Sequence, residues 1–222
     1  MRRSDQGAAT QRTSPEKGVV VLTVGHSTRE QEDFIALLKA HGVKRLVDVR
    51  AIPRSRHNPQ FNREQIGPAL RSAGISYVHM PALGGLRHAK PRSLNAAWRN
   101  ASFRGFADYM QTREFGRGLG RLMKLARLKR TAIMCAEALS WRCHRSLIAD
   151  ALLAHGYRAD EIEGLKRTRP HALTPWARVQ GTKVTYPSST IPLGKPQNKG
   201  DARIMTKLKL GYEPATPSDE TR

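Results

Sequence analysis

A strand, a helix and a second strand follow one another between residues 19 and 49, and this order constrains the fold more than any other feature of the chain. Val19 to Val24 is a β-branched run broken only by Leu22, the composition of a strand covered on both faces. After Gly25-His26-Ser27-Thr28, the residues Phe34, Ile35, Leu37 and Leu38 recur on one face of a helix that reaches about His41. Ser27 or Thr28 can cap that helix, and Glu30 and Glu32 suit its dipole. Gly42 stops it, and Arg45 to Val49 supplies the second strand. A strand–helix–strand unit this short runs parallel, with a right-handed crossover.

The rest of the chain extends the pattern. Arg63 to Ala73 reads as a helix ended by Gly74, and Ile75 to His79 as a third strand. Ser102 to about Leu128 is helical with a break near Thr112. Phe103, Phe106, Tyr109 and Met110 and then Phe115, Leu119, Leu122, Met123 and Leu125 form its core faces. Ala132 to Met134 is a fourth buried strand, a helix runs from about His144 to His155, and Tyr157 to Ile162 is either a fifth strand or edge packing. The predicted fold is α/β and three-layered: a mostly parallel sheet of about four or five strands flanked by helices, in one domain over residues 18–165. Residues 1–17 read as a disordered leader. Residues 166–222 read as a basic, largely disordered tail with one short amphipathic piece around Ile204 to Leu210.

Charge and cysteine usage bound the function. The chain carries 39 Lys and Arg against 18 Asp and Glu, a formal net charge of +21, and such an excess predicts an anionic partner. The excess is spread over the body and both ends, with no zinc-finger spacing and no RNA-binding signature. Two cysteines, no N-terminal apolar h-region and no long apolar run predict a cytoplasmic protein without a membrane span or structural disulfide.

Most of the reactive side chains lie in one stretch, residues 131 to 145. Between its strand and its helix stand Cys135, Glu137, Arg142, Cys143, His144 and Arg145. A thiol at the start of a helix ionises more easily, and the free N–H groups there favour an anion. Cys135 ends an apolar run and also suits plain packing, whereas the cationic neighbours of Cys143 need solvent or a ligand. The other motifs share this placement. His26 and Ser27, Asp48 and Arg50, Gly84 and Gly85, and Cys135 and Glu137 each follow a predicted strand, and parallel strands bring their carboxyl ends to one cleft. Ala51 to Asn62 is a proline-stiffened loop whose Arg54, Arg56 and His57 suit either a clamp for phosphate or carboxylate or a solvated surface. Residues 86 to 101, basic and irregular around Trp98, read as a mobile flap over the site.

Thr23-Val-Gly-His-Ser27, Asp48-Val-Arg50 with Pro53, Ser55-Arg56 and Pro59-Gln-Phe61, Leu83-Gly-Gly85, Cys135-Ala-Glu137 and Cys143-His-Arg145 occur in this order. Together they make the chain resemble the family called domain of unknown function 488 over roughly residues 19–163. The resemblance implies an α/β fold and a single site built from these motifs, and it names no reaction.

Two functional classes follow. In the first, an enzyme or binding protein takes a phosphate-bearing or otherwise anionic small molecule, such as a nucleotide, in the cleft. Cys143, Cys135, Glu137, His26 and Asp48 are its candidate catalytic residues, as nucleophiles or proton carriers. Ser27, Arg50, Arg56, Gly84, Gly85, His144 and Arg145 are its candidate ligand-binding residues. Six residues separate Cys135 from Arg142 without an intervening glycine, which argues against a tight phosphatase-like cradle. In the second class, the basic surface and tail bind nucleic acid, with Trp98 or Trp141 as stacking platforms. No cofactor is indicated, and no metal is assigned, because the two cysteines lack the short spacing of zinc sites.

Overall fold

The computed structural model of the protein describes residues 18–188. The leader, the tail from residue 189 onward and the amphipathic piece around Ile204 to Leu210 lie outside the described residues. Strand and helix alternate as β1 (Val20–Gly25), α1 (Gln31–Ala40), β2 (Arg45–Asp48), α2 (Arg63–Ser72), β3 (Ser76–His79), α3 (Ala101–Tyr109), α4 (Arg113–Leu128), β4 (Thr131–Cys135), α5 (Arg145–Ala154) and β5 (Arg158–Gly164). Three short strands follow: β6 (Arg167–Pro170), β7 (Arg178–Gln180) and β8 (Lys183–Thr185).

The break expected near Thr112 is a pair of helix ends. Thr112 caps α4 by accepting from the Phe115 N–H, and Asn100 caps α3 by accepting from Ser102 and Phe103. α1 starts differently from expectation. Its N-cap is Glu30, with no side-chain cap bond, while Ser27 takes a left-handed conformation at φ 53° in the turn after β1.

The main sheet has six strands in the order β3-β2-β4-β1-β5-β6. All neighbours run parallel except β5 and β6, and the sheet is thus slightly larger than the sequence suggested. Alternation along the strands sends Leu22, Val24, Leu46, Ala132 and Met134 toward Phe34, Leu38, Ile66 and Leu70 of α1 and α2. Val21, Val47, Ile133 and Ala159 face the other way, toward Phe106, Leu119, Leu122, Leu147 and Leu152 of α3, α4 and α5. The helices after β1 and β2 therefore cover one face and the helix after β4 the other. Since β4 lies between β2 and β1, its exit loop parts from theirs and opens a crevice at the carboxyl ends, the usual ligand position in such sheets.

The domain continues past residue 165. β6 pairs antiparallel with β5, and the segment beyond it folds back over α5. Tyr186 is fully buried, its hydroxyl donating to Asp150 Oδ2 at 2.8 Å, while His171 Nε2 and the Thr174 N–H engage Asp150 Oδ1. These strands are short and polar, so they carry no hydrophobic period to read. The segment expected as a flap is likewise pinned. Asp108 accepts from the Lys90 N–H, Ser93 Oγ and Asn95 Nδ2, and Trp98 packs on Phe103, Trp176 and Tyr186. A chain held by buried polar bonds and stacked rings has little freedom to open. No helix among the described residues is long and apolar enough to cross a membrane.

Candidate cysteine site at the strand carboxyl ends

The crevice holds a cavity of about 410 Å³. Its walls come from the loop after β2 (Arg50, Ile52, Arg54 and Ser55), from Gly85 and Leu86 after β3, and from Ser102, Phe103 and Phe106 of α3. Cys135 and Glu137 after β4, with Arg142, Cys143 and His144 before α5, complete it. Three arginines thus border an apolar floor, Arg50 held by Asp48 and the Phe61 carbonyl and Arg54 and Arg142 exposed, a combination that suits an anion attached to an apolar body.

At one wall lie the two cysteines, both buried free thiols. A short 3₁₀ turn at Ser140–Arg142 carries the chain from Cys135 back to Cys143. Glu161 holds this turn by accepting from the Ser140 backbone N–H at 3.2 Å and from its hydroxyl at 2.5 Å. His144 Nε2 lies 3.0 Å from the Val49 carbonyl, which can only accept, so Nε2 carries a proton. Nδ1, at 3.6 Å from Cys143 Sγ, is then free to accept a proton from the thiol. Cys143 is held well below the ordinary thiol range, chiefly by a hydrogen bond from Cys135 and further by His144 and the positive charge of Arg145. The same contact and burial push the Cys135 thiol up, so Cys135 remains the protonated partner.

Arg145 stands behind this wall with no exposure. Its Nη2 donates to the carbonyls of Glu137 at 2.7 Å and Ala138 at 3.3 Å, whereas Nε and Nη1 have no hydrogen-bond partner. A buried cation needs nearby negative charge, which the two thiols of this wall, when ionised, and the Glu161 carboxylate can supply. Replacing Arg145 with methionine should therefore shift Cys143 toward the neutral thiol. Iodoacetamide alkylation at neutral pH should slow at least about tenfold, since reactivity follows the thiolate fraction; an unchanged rate in the folded variant would show that Arg145 does not stabilise the thiolate.

The remaining sequence candidates divide. Asp48 and His26 lie outside the cavity wall, where they position Arg50. Asp48 Oδ1 accepts from the Arg50 N–H and Nε at 3.0 and 2.9 Å, and Oδ2 accepts from Arg50 Nη2 at 2.6 Å and the Tyr77 hydroxyl at 2.7 Å. Arg50 Nη2 also donates to the Phe61 carbonyl at 2.7 Å, and Nη1 lies 3.3 Å from His26 Nε2. His26 is stacked on Phe61 at 4.1 Å and bonds the Ser27 carbonyl through Nδ1. Burial, reinforced by Arg50, pushes its pKa down to about 4, so at neutral pH it is a neutral ring. Ser27 supplies backbone only, its N–H reaching the Ala136 carbonyl at 2.9 Å. Glu137 does face the cavity.

The glycines serve close approach. A Cβ on Gly84 would stand 2.8 Å from Ala51 Cα, and one on Gly85 3.1 Å from His144 Nδ1. Arg56 is exposed and does not line the cavity; Arg54, two residues earlier, does. Arg54 was expected only as one of the loop's clamp cations, and Ser55 and the apolar groups Ile52, Leu86, Phe103 and Phe106 were not singled out as site residues. One available signal was Ile52, an apolar residue in a basic loop that remains 64 % exposed. Among the described residues, no group of three or more His, Cys, Asp or Glu is arranged to hold a metal ion.

A family model described as domain of unknown function DUF488 matches residues 30–152. No curated protein and no solved structure matches the chain.

Proposed function

The chain belongs to the DUF488 family, a domain of unknown function, and from that premise we propose that it is a cytoplasmic protein acting on an anionic small molecule through Cys143. The observation that carries this reading is the pairing of Cys143 with a histidine whose tautomer is set by the Val49 carbonyl, inside a cavity faced by Arg50, Arg54 and Arg142. In this reading His144 Nδ1 takes the thiol proton, and the thiolate attacks an electrophilic centre of the ligand. The guanidinium groups hold the ligand's phosphate or carboxylate, and Phe103 and Phe106 pack against its apolar part. Asp48 and His26 are positioning residues here, acting through Arg50. Cys135 holds the thiolate by hydrogen bonding, and Glu137 is the acidic group at the cavity mouth.

Alkylation kinetics test the nucleophile. A thiol with a lowered pKa keeps its thiolate as pH falls, so Cys143 should react with iodoacetamide at neutral pH faster than a free thiol. Its rate should decline only on acidification below the ordinary thiol range, taken as about 8.5. Cys143→Ser should abolish the fast phase, while a single phase rising only at alkaline pH would sink the reading. Among nucleotides, sugar phosphates and neutral analogues, the anionic compounds alone should raise the melting temperature, through binding to the native state.

A second reading has its own observation. α4 exposes Arg113, Arg117, Arg121 and Lys124 on successive turns, with Glu114 its acidic residue in the first turn. Such a row suits the phosphates of a nucleic acid. Four phosphate contacts predict a loss of about a hundredfold in oligonucleotide affinity between roughly 50 and 200 mM salt. Binding that is indifferent to salt, or unchanged in Arg117→Glu with Arg121→Glu, removes this surface as a nucleic-acid site.

A further inference from the structure

Hydrogen bonding to the thiolate does not by itself call for a second thiol, yet the fold keeps Cys135 beside Cys143 as a free cysteine. It ends β4, Cys143 precedes α5, and the turn between them is held by Glu161, so two thiols from different elements meet on one cavity wall. Both side chains border the same cavity and pack in the same buried cluster, and neither is tied up in a disulfide. Both open onto a space large enough for a small ligand, and arginines line that space.

We propose that Cys143 and Cys135 form a reversible dithiol–disulfide couple whose co-substrate is a small disulfide bearing carboxylates. The proposal rests on the reading of Cys143 as a nucleophile in an anion-binding cavity, and it assigns that cavity a substrate class. Cys143 thiolate attacks one sulfur of R–S–S–R. The R–S–S–R bond breaks, a Cys143–S–S–R bond forms, and the departing thiolate takes the proton that Cys143 had passed to His144. The Cys135 sulfur then attacks Cys143 Sγ. The mixed disulfide breaks, the Cys135–Cys143 bond forms, and the Cys135 proton ends on the second departing thiolate. Two protein thiols are oxidised, and one external disulfide is reduced to two thiols. Arg145 sets the direction in which the couple leans. Its buried charge favours a Cys143 thiolate over a neutral disulfide, so the bridge is readily reduced again, as expected where the reduced form is the stabilised one. Arg50, Arg54 and Arg142 would receive the carboxylates.

The test uses the full reduced chain, treated separately with oxidised glutathione, which carries carboxylates, and with cystamine, which is cationic, and followed by intact mass and thiol titration. Wild type should pass through a transient adduct to a product lacking two hydrogens and both free thiols. Cys135→Ser and Cys135→Ala should stop at a lasting adduct on Cys143, and Cys143→Ser should form neither product. Oxidised glutathione should react about tenfold faster than cystamine, the low end of what electrostatic focusing supplies. Because the wild-type product alone decides whether a bridge forms, misfolding of a variant cannot obscure the answer. A wild-type adduct as lasting as that of Cys135→Ser overturns the couple and leaves the nucleophile intact. Equal rates with both disulfides overturn the carboxylate preference. Silence of Cys143 toward both disulfides and iodoacetamide overturns the couple together with the nucleophile.

Discussion

Asp48→Ala should lower the unfolding free energy by about 3 to 5 kcal/mol, the usual cost of removing one partner of a buried ion pair. The carboxylate has no exposure, and all its visible partners are donors: the Arg50 N–H and guanidinium, and the Tyr77 hydroxyl. Without it, Arg50 stays 7 % exposed with its charge uncompensated, and Tyr77 loses its acceptor. The damage should also reach the cavity. Arg50 would relax away from His26 and the Phe61 carbonyl, weakening any anion affinity that depends on its pose. Urea unfolding of the variant against wild type at neutral pH is the measurement. A loss below about 1 kcal/mol, the scale of a surface ion pair, would mean that the arginine finds solvent as readily as it finds Asp48.

Acid should weaken the native state through His26. The ring titrates near its ordinary 6.5 in the unfolded chain and at about 4 in the folded one. Between those values the unfolded state binds the proton first, so stability rises with pH across the window and falls as pH drops from 6.5 toward 4. The full effect is about 3 kcal/mol, from roughly two and a half pKa units at 1.36 kcal/mol each. Carboxylates also titrate on the way down, so the telling quantity is a difference. The stability advantage of wild type over His26→Asn, measured by urea unfolding at pH 7, 5.5 and 4, should shrink steadily. An advantage constant across that range would mean that His26 is not held neutral by burial.

His26 also shows where residue type misleads. A histidine after a parallel strand, next to Ser27, suggests a proton carrier, and its sequence position at the carboxyl edge was read correctly. Whether it faces the cavity or stacks on Phe61 depends on the turn from Pro59 to Phe61, more than thirty residues away. The same holds for Asp48, whose roles as general base and as ion-pair anchor look alike in a one-dimensional pattern. Arg54 and Arg56 differ by two positions in one loop, and only the path of that loop decides which guanidinium reaches the cavity. The late strands were missed for another reason. β6, β7 and β8 are three or four residues long and mostly polar, so the backbone pairing that orders them has no side-chain period.

From its sequence alone the protein was determined as a parallel α/β domain with a cluster of reactive groups at the strand carboxyl ends. The reasons are local: continuous β-branched runs bury on both sides, helical runs of Phe and Leu bury on one side, and short connections force parallel crossovers. What only the tertiary structure decided is which of those groups share a cavity and which proton sits on which atom. The Val49 carbonyl selects the His144 tautomer across nearly a hundred residues, and two cysteines eight positions apart come to line one cavity beside the buried charge of Arg145. Orientation, desolvation and hydrogen bonding act over a few ångströms in space, and sequence distance carries no record of them.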